Sequence, residues 1–155
     1  HCISSAASDV YKRQVHGDFR LDNMIFDPTT HEVKAILDWE LSTLGNPIAD
    51  FTYHMMSWRL PAGAKGLGMM GSDLKSLNIP SESEYAELYY KKTGREKIDN
   101  WDFYMAYNIF RLAGIAQGIV GRVRDGTASS SEAKNYEAFV PILGKLGWSI
   151  VEGIK

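Results

Sequence analysis

The residues whose types and spacing could support a reaction lie in two short segments near the start of the sequence. Residues 16–23 read His-Gly-Asp-Phe-Arg-Leu-Asp-Asn, and a later hydrophobic run ends at Asp38. A phosphoryl-transfer site needs one carboxylate to orient the attacking hydroxyl, and an amide and a second carboxylate to hold magnesium. Asp18, Asn23 and Asp38 carry those three groups. The two segments therefore predict a phosphoryl-transfer site.

A β-hairpin is predicted to position these side chains. Residues 23–26 and 33–37 are short β-prone runs, and the Asp-Pro pair between them favours a turn, because Asp can bond its own backbone and Pro presets φ. Paired strands lie ~4.8 Å apart. We therefore expect Asn23 and Asp38 to meet at the open end of the hairpin, one short loop from Asp18.

Each candidate has a defined role in this hypothesis. Asp18 is the catalytic base, which accepts a hydrogen bond from the substrate hydroxyl. Asn23 and Asp38 hold Mg²⁺, which prefers oxygen ligands and keeps water and phosphates in its other positions. His16 is expected to brace the loop and the Asp38 backbone, and Asp50 to anchor the loop by accepting backbone N–H groups. A structural alternative stays open: Asp18 forms a turn, and Asn23 and Asp38 cap the hairpin end.

Three further charged residues surround these candidates. Arg20 and Asp22 are predicted to form a local ion pair or to contact the backbone rather than to touch a substrate. Glu40 follows Asp38 by two residues, so it is either a contact for a second metal ion or a substrate amine, or a solvated carboxylate.

The remaining sequence favours helices. Asn46 and Pro47 suit the N-cap and first position of a helix that runs to about Trp58. Residues 60–78 are rich in glycine and are predicted to form a loop. Ser81-x-x-Glu84 is a capping box, and the helix that it begins should stop at Gly94.

Two more helices are predicted downstream. Asn100 should cap a helix from Trp101 to about Val123. Ser129-x-x-Glu132 should cap the last helix, which Pro141 should kink or break. Apolar and small residues recur at helical spacing in the longer helix, as in a face that packs closely against another helix: Phe103, Tyr107, Phe110, Gly114, Gln117 and Gly121.

Composition narrows the possible functions. The chain has 155 residues, 45% hydrophobic and 23% charged, which suits one domain or one lobe of a larger one. Its formal net charge of −2 gives no electrostatic case for a nucleic-acid partner. No apolar run approaches the ~20 residues of a membrane span. The lone Cys2 is compatible with a reducing compartment, so a soluble, cytoplasmic protein is expected.

The first fourteen residues differ from the rest of the sequence. They have no initiator methionine, no sustained periodicity and no signal-peptide pattern. Our hypothesis is that the chain begins within a gene, and that residues 1–14 are a leader that cloning or sequencing added. Residues 15–155 would then form the native domain.

The motifs resemble those of the aminoglycoside phosphotransferase and choline kinase family, whose fold is related to that of protein kinases. The family motif His-Gly-Asp-x-x-x-x-Asn stands at residues 16–23, and its Ile-Asp-Trp motif corresponds to residues 36–39. Gly-Asp-Pro-x-x-Asp corresponds to residues 45–50, with Asn in place of the first Asp. Residues 101–104 and 110–118 resemble the kinase-like domain that precedes the dehydrogenase in some acyl-CoA dehydrogenase proteins.

The resemblance implies an α+β, mainly α fold, namely the C-terminal lobe of a protein-kinase-like fold with a β-hairpin that carries the metal ligands. It implies ATP as co-substrate, Mg²⁺, Asp18 as catalytic base, and Ile25 and Leu37 as the floor under the adenine. The glycine-rich nucleotide loop, the strand lysine and its glutamate partner do not appear. They would belong to an N-terminal lobe that precedes His1, so this chain alone is expected to bind ATP negligibly and to be inactive.

The substrate is expected to be a small molecule with a hydroxyl group. The branch linked to dehydrogenases suggests a hydroxyacyl compound or another lipid-derived alcohol. Two other classes stay open. One is a catalytically inert, kinase-like binding module. The other is a metal-dependent phosphoesterase, which would need more ligands than His16, His31 and His54 supply.

Overall fold

The structure, a computed structural model, describes residues 13–62 and 68–154. The described chain is mainly helical with two small antiparallel sheets, so the predicted α+β, mainly α class is confirmed. The described residues separate into two compact units, and the boundary lies between His54 and Met55. Most of the leader predicted for residues 1–14, and residues 63–67 of the glycine-rich loop, lie outside the described residues.

The described part of the first unit is built on short strands. They are β1 (Arg13–Val15), β2 (Met24–Phe26), β3 (Val33–Ile36) and β4 (Thr43–Gly45). Strand β1 pairs with β4, and β2 pairs with β3 in the predicted hairpin. Beyond the last ladder pair, the Leu37 N–H donates to the Asn23 carbonyl at 2.8 Å. The predicted hairpin is therefore confirmed, and Asn23 lies opposite Leu37 at its open end.

Helix α1 (Ile48–Met55) follows β4 and continues as a 3₁₀ turn, Met56–Trp58. Asn46 Oδ1 accepts a hydrogen bond from the Ile48 N–H at 3.1 Å, as expected for an N-cap. Phe51 of this helix is buried. The start and end of this segment therefore agree with the sequence prediction.

The described residues of the second unit form a helical body. Its α-helices are α2 (Glu82–Thr93), α3 (Trp101–Arg124) and α4 (Tyr136–Gly153), and a 3₁₀ turn, Ser131–Asn135, precedes α4. Helices α3 and α4 pack through the fully buried Ile109 and Leu143. A Cβ atom at Gly147 would lie 3.4 Å from Ile109 Cγ2, so the two helices approach closely there. No helix among the described residues is long and apolar enough for a membrane span.

The capping predictions had different outcomes. At α2 the capping box is confirmed, because Ser81 N donates to Glu84 Oε2 at 2.8 Å and Glu84 N donates to Ser81 Oγ at 3.3 Å. The box predicted at Ser129-x-x-Glu132 is wrong. Ser130 Oγ accepts from Glu132 N instead, and a 3₁₀ turn follows. Of the two outcomes predicted at Pro141, a kink or a break, the break is wrong, because α4 continues through this residue and packing against α3 stabilises the helix on both sides.

The face of α3 predicted to pack against another helix is exposed. Phe103, Tyr107 and Phe110 are 59%, 50% and 75% exposed. Residues on the opposite side of the helix form the buried face: Met105, Ala106, Asn108, Ile109, Leu112 and Ala116. This prediction was wrong because α3 is apolar on two sides, and helical spacing alone does not say which side a neighbour covers.

Candidate functional site

The two ends of the loop 16–23 are joined by a side-chain amide. Asn23 Nδ2 donates to the Asp18 main-chain oxygen at 2.9 Å and to Asp18 Oδ2 at 3.0 Å. These bonds use the amide hydrogens of Asn23, and no described residue donates to its Oδ1. The structure therefore brings Asp18 and Asn23 into direct contact, and it leaves an amide oxygen without a protein donor.

Asp50 holds the start of the loop through two backbone N–H groups. His16 N donates to Oδ2 at 2.5 Å, and Gly17 N donates to Oδ1 at 2.9 Å. The predicted anchoring role of Asp50 is therefore confirmed. Gly17 has φ +86°, and a Cβ atom there would lie 2.6 Å from the Leu41 carbonyl oxygen. Only glycine fits this turn without strain.

Replacing Asp50 with Ala is expected to lower the free energy of unfolding by about 2–4 kcal/mol, because two backbone N–H groups lose a charged acceptor. Urea unfolding measures this loss. Asp22→Ala is the matched control, since its carboxylate is 58% exposed and pairs with Arg20 at the surface, so its midpoint should stay unchanged. Equal midpoints for the two variants would contradict the anchoring role.

His16 connects the loop to the strand that ends before Asp38. The ring is buried, with 2% of the residue exposed. Asp18 N donates to Nδ1 at 3.1 Å, so Nδ1 is the acceptor and the proton lies on Nε2. Nε2 then donates to the Leu37 carbonyl at 2.7 Å. One imidazole therefore fixes the peptide after Leu37 relative to the backbone of Asp18.

Asp38 has an unusual backbone conformation. Its φ of 64° and ψ of 52° lie in the left-handed region, which Asp tolerates better than most residues but which still carries a cost. Its carboxylate has no hydrogen bond or ion pair with the described residues. Such conformations persist where surrounding contacts enforce them and often occur at functional sites. Asp38 immediately follows Leu37, whose N–H is bonded to the Asn23 carbonyl, so Asp38 lies one residue beyond the position that faces Asn23 at the hairpin end.

Arg20 has a contact that the sequence prediction missed. Its Nη2 lies 3.1 Å from Asp22 Oδ2, as predicted, but its Nε also lies 3.4 Å from Asp18 Oδ2. That Nε is buried and has no hydrogen-bond partner among the described residues. The positions of Arg20 and Asp18 in the sequence could not reveal this contact, because the Arg20 side chain reaches the Asp18 carboxylate only when the loop is tightly turned. Glu40 is exposed, and its two alternatives stay open.

Ile25 and Leu37 lie on the same face of the hairpin. Ile25 pairs with Ala35 and Leu37 faces Asn23, and directly opposed residues of an antiparallel pair share a face. Their side chains are 48% and 46% exposed. The hairpin therefore presents an accessible apolar surface on the same side as Asn23.

The oxygen atoms at the hairpin end suit a magnesium ion. Mg²⁺ needs few protein ligands, because water and phosphate oxygens complete its octahedron. The Asn23 Oδ1 and the Asp38 carboxylate are both oxygen donors without a protein partner among the described residues. No group of three or more His, Cys, Asp or Glu side chains with metal-site geometry occurs in the described ranges. The donor set therefore fits a hard cation bound together with a phosphate ligand.

His54 lies beside the loop at the end of α1. Its ring makes an edge contact with Phe19, with 6.2 Å between the ring centroids. Burial lowers the pKa of His54 below the ordinary value of 6.5. Near and below pH 6.5, His54 therefore binds a proton in the unfolded chain more readily than in the folded chain. It follows that protons favour unfolding and that stability falls as the pH falls.

The His54→Phe variant is expected to lose less stability between pH 7.5 and 5.5 than the unmodified chain. A single proton contributes at most about 1.4 kcal/mol per pH unit, and urea unfolding at several pH values measures the slope. His31→Asn is the control, because His31 is exposed with φ 58°, which Asn tolerates. The pKa values of the Asp27 and Glu84 carboxyl groups lie below the ordinary values of 3.8 and 4.5, so these groups change the free energy of unfolding only below the pH range of this measurement. If the free energy of unfolding depends on pH in the same way in His54→Phe as in the unmodified chain, His54 is not the source of the pH dependence.

Comparison with protein families gives one match over more than half of the chain. The model described as "Phosphotransferase enzyme family" (APH) matches residues 4–88. That range includes the loop 16–23, the hairpin and helix α1 with its anchoring Asp50.

Relatives with known names extend the similarity. Acyl-CoA dehydrogenase family member 10 of Mus musculus is 46% identical over 135 residues, which is 86% of this chain and 13% of the mouse protein. Acyl-CoA dehydrogenase family member 11 of Homo sapiens is 36% identical over 141 residues, 90% of this chain and 18% of the human protein. The chain therefore spans less than a fifth of the length of these curated relatives.

A solved structure is similar over almost the whole chain. It is the crystal structure of a protein from Ralstonia eutropha JMP134, provisionally named an aminoglycoside phosphotransferase. The two are 47% identical and superpose with a TM-score of 0.86. The match covers 93% of this chain but 44% of the Ralstonia chain.

Proposed function

This chain belongs to the phosphotransferase enzyme family and has a kinase-like fold, and we propose that its residues 15–155 are the catalytic-loop lobe of a kinase. The intact enzyme transfers a phosphoryl group from ATP, with Mg²⁺, to a hydroxyl of a small molecule. The observation that carries this proposal is the Asn23–Asp18 hydrogen bond at the end of a hairpin whose other strand leads to Asp38.

Asp18 is the catalytic base in this proposal. Its carboxylate accepts the proton of the substrate hydroxyl while the hydroxyl oxygen forms a bond to the γ-phosphorus of ATP. The bond between that phosphorus and the β–γ bridging oxygen breaks, and ADP leaves. One hydrogen bond from Asn23 holds the Oδ2 atom of Asp18 in place. Orientation of this kind accounts for much of the rate in phosphoryl transfer, because little covalent chemistry is needed from the protein.

Asn23 and Asp38 are the proposed magnesium ligands, and bound Mg²⁺ would neutralise charge on the phosphate oxygens. The support for this role is that the Asn23 Oδ1 and the Asp38 carboxylate have no protein partner among the described residues and lie at the same end of the hairpin. His16 is the positioning residue, because it links the backbone before Asp38 to the backbone of Asp18. The strain at Asp38 is then the cost of holding a ligand in place.

Ile25 and Leu37 are the proposed floor under the adenine. Their shared, exposed face suits a flat apolar ring, and it lies on the side of Asn23. The opposite wall and the lysine for the phosphates would come from an N-terminal lobe elsewhere in a longer polypeptide. The match covers 44% of the Ralstonia chain, so a protein of that length has room for a second lobe. We therefore expect the 155-residue chain alone to bind MgATP negligibly.

The substrate class is proposed from the names of the relatives. The dehydrogenase relatives favour a hydroxyacyl compound or another lipid-derived alcohol, and the Ralstonia protein adds an aminoglycoside as the second candidate. The test is ADP formation by the longer protein with matched pairs of compounds, each pair differing by one hydroxyl. We expect turnover with the hydroxylated member alone, and transfer of ³²P to that member.

The two other functional classes give different results in the same assay. An inert binding module would bind MgATP without forming ADP with any acceptor. A metal-dependent phosphoesterase would release inorganic phosphate from phosphate esters without ATP, and metal analysis would find a tightly bound dinuclear site. Either result would contradict the kinase proposal.

A further inference from the structure

The two oxygen atoms of the Asp18 carboxylate have different surroundings. Oδ2 accepts a hydrogen bond from Asn23 Nδ2 at 3.0 Å, and Arg20 Nε lies 3.4 Å from the same atom. Oδ1 has no hydrogen bond or ion pair with any residue that the structure describes. The Asp18 side chain is 20% exposed, so a small molecule can still reach it. The loop therefore occupies one oxygen of the carboxylate and leaves the other available.

The guanidinium group of Arg20 spans two carboxylates of the same loop. Nε faces Asp18 Oδ2, and Nη2 lies 3.1 Å from Asp22 Oδ2. Arginine presents Nε–H and one Nη hydrogen along the same edge of a rigid plane, so contact with one carboxylate fixes how it faces the other. The contact with Asp22 therefore helps to aim Arg20 at Asp18. Because the Asp22 side chain is 58% exposed, this outer ion pair contributes little by itself.

The Arg20 Nε atom is a buried donor without a hydrogen-bond partner in the described part of the chain. A buried N–H group that lacks an acceptor is costly, so such atoms are rare and call for an explanation. At 3.4 Å from Asp18 Oδ2, a slight rotation of the carboxylate completes the bond. Hydrogen bonds of catalytic groups are often long in the free enzyme and shorten when the substrate binds. Because Nε is buried, it acts on Asp18 and does not reach the substrate itself.

We propose that Arg20 is a second positioning residue, and that Oδ1 of Asp18 is the atom that accepts the substrate proton. This inference deepens the proposed kinase function and rests on it. The proton of the substrate hydroxyl moves to Oδ1 while the hydroxyl oxygen bonds to the γ-phosphorus of ATP and ADP leaves. Oδ2 is then the carbonyl oxygen of the carboxylic acid and still accepts the bonds from Asn23 and Arg20. The two donors therefore hold the carboxyl group in one orientation throughout the transfer.

Contact between Arg20 and a phosphate group of ATP is the alternative role. Arginine binds phosphates well, and Nη1 has no partner among the residues that the structure describes, so it is available for such a contact. Loss of a phosphate contact present throughout binding raises the KM for ATP. Loss of a contact that orients the base lowers kcat and leaves KM nearly the same. The two roles therefore give different kinetics.

Steady-state kinetics of Arg20→Ala in the longer protein test the proposal, with MgATP and the hydroxylated compound that turns over fastest in the matched-pair assay. We expect kcat to fall about 10–100-fold, because the base is no longer held in line, while both KM values change less than about 3-fold. Arg20→Lys keeps the charge but not the planar edge, so its kcat should lie between the two. Lys34→Met is the matched control, because Lys34 is a 53% exposed cation that lies near two carboxylates of the hairpin. Its turnover should equal that of the unmodified protein.

Chemical rescue gives a readout that a merely structural role would not move. Guanidinium ion, at concentrations too low to unfold the protein, should raise kcat of Arg20→Ala at least about 5-fold, because it supplies the same planar edge of donors. Methylammonium at the same concentration should not, since its single nitrogen has no such edge. Asp18→Asn should not respond to either ion, because its defect is the missing base.

Four results would overturn the positioning role. They are an unchanged kcat in Arg20→Ala, a rise in the KM for ATP as large as the expected fall in kcat, failure of guanidinium to raise kcat, and equal rescue by methylammonium. A loss of turnover in Asp18→Asn alone would leave the proposed function intact. Absence of turnover in the unmodified protein with every hydroxylated compound would contradict that function, and the inference with it. If Arg20→Ala does not fold, Arg20→Lys decides by the same comparison of kcat with KM.

Discussion

Asp18→Asn in the longer protein is expected to lower kcat about 10³-fold or more, and Asp18→Ala at least as much. The amide keeps the size of the side chain but cannot accept the proton of the attacking hydroxyl, and a general base contributes roughly 10²–10⁴ to the rate. Initial rates of ADP formation at saturating ATP measure the loss. A 10³-fold loss corresponds to about 4 kcal/mol of transition-state stabilisation.

The control for this prediction is on the same loop. Asp22→Asn removes a carboxylate that also pairs with Arg20 but is 58% exposed, so kcat should change no more than a few-fold. The Asn23 bond to the main-chain oxygen of residue 18 does not depend on the side chain, so both variants should fold. Turnover close to that of the unmodified protein in a folded Asp18→Ala would rule out the proposed base.

Asp38→Gly is expected to separate stability from activity. Glycine adopts the left-handed conformation of residue 38 without a Cβ penalty, so the free energy of unfolding should stay the same or rise by up to about 1 kcal/mol. Turnover of the longer protein should fall by about 10³-fold or more, because a proposed magnesium ligand is lost. Parallel measurements of urea unfolding and of initial rates at several Mg²⁺ concentrations give both quantities.

His31→Gly is the matched control, because His31 is the other hairpin residue with a left-handed backbone, at φ 58°. Its stability should change in the same direction as that of Asp38→Gly, while turnover stays unchanged. Restored turnover of Asp38→Gly at high Mg²⁺ would still agree with a ligand role. Full turnover at the usual Mg²⁺ concentration would not, and the carboxylate would then have no part in the reaction.

Features that depend on a few neighbouring residues could be predicted from the sequence. The Asp-Pro turn fixes the hairpin, since its backbone bonds close within six residues, and Asn23 therefore faces Leu37. The Ser81 capping box likewise needs only the first turn of its helix. The capping box predicted at Ser129 is wrong because local sequence does not distinguish between adjacent serine residues. Neighbouring serines offer the same hydroxyl, and the 3₁₀ turn before α4 selects Ser130.

Contacts between distant segments limited the prediction of the site. The sequence predicts that Asp50 holds the loop by accepting backbone N–H groups, and the structure confirms this contact. The approach of Arg20 to Asp18 was not expected, because it depends on how tightly the loop closes. The left-handed conformation of Asp38 was missed as well, since its own sequence does not require it.

The sequence by itself determined the chemical groups at the loop and hairpin, their spacing and the boundaries of α1, α2 and α3, because these depend on side-chain type and on hydrogen bonds between near neighbours. Tertiary structure alone decided which side of α3 is buried. Both sides of that helix are apolar, and hydrophobic burial has no direction of its own, so α4, with its buried Leu143, settled the choice by packing against the side of α3 that carries Ile109.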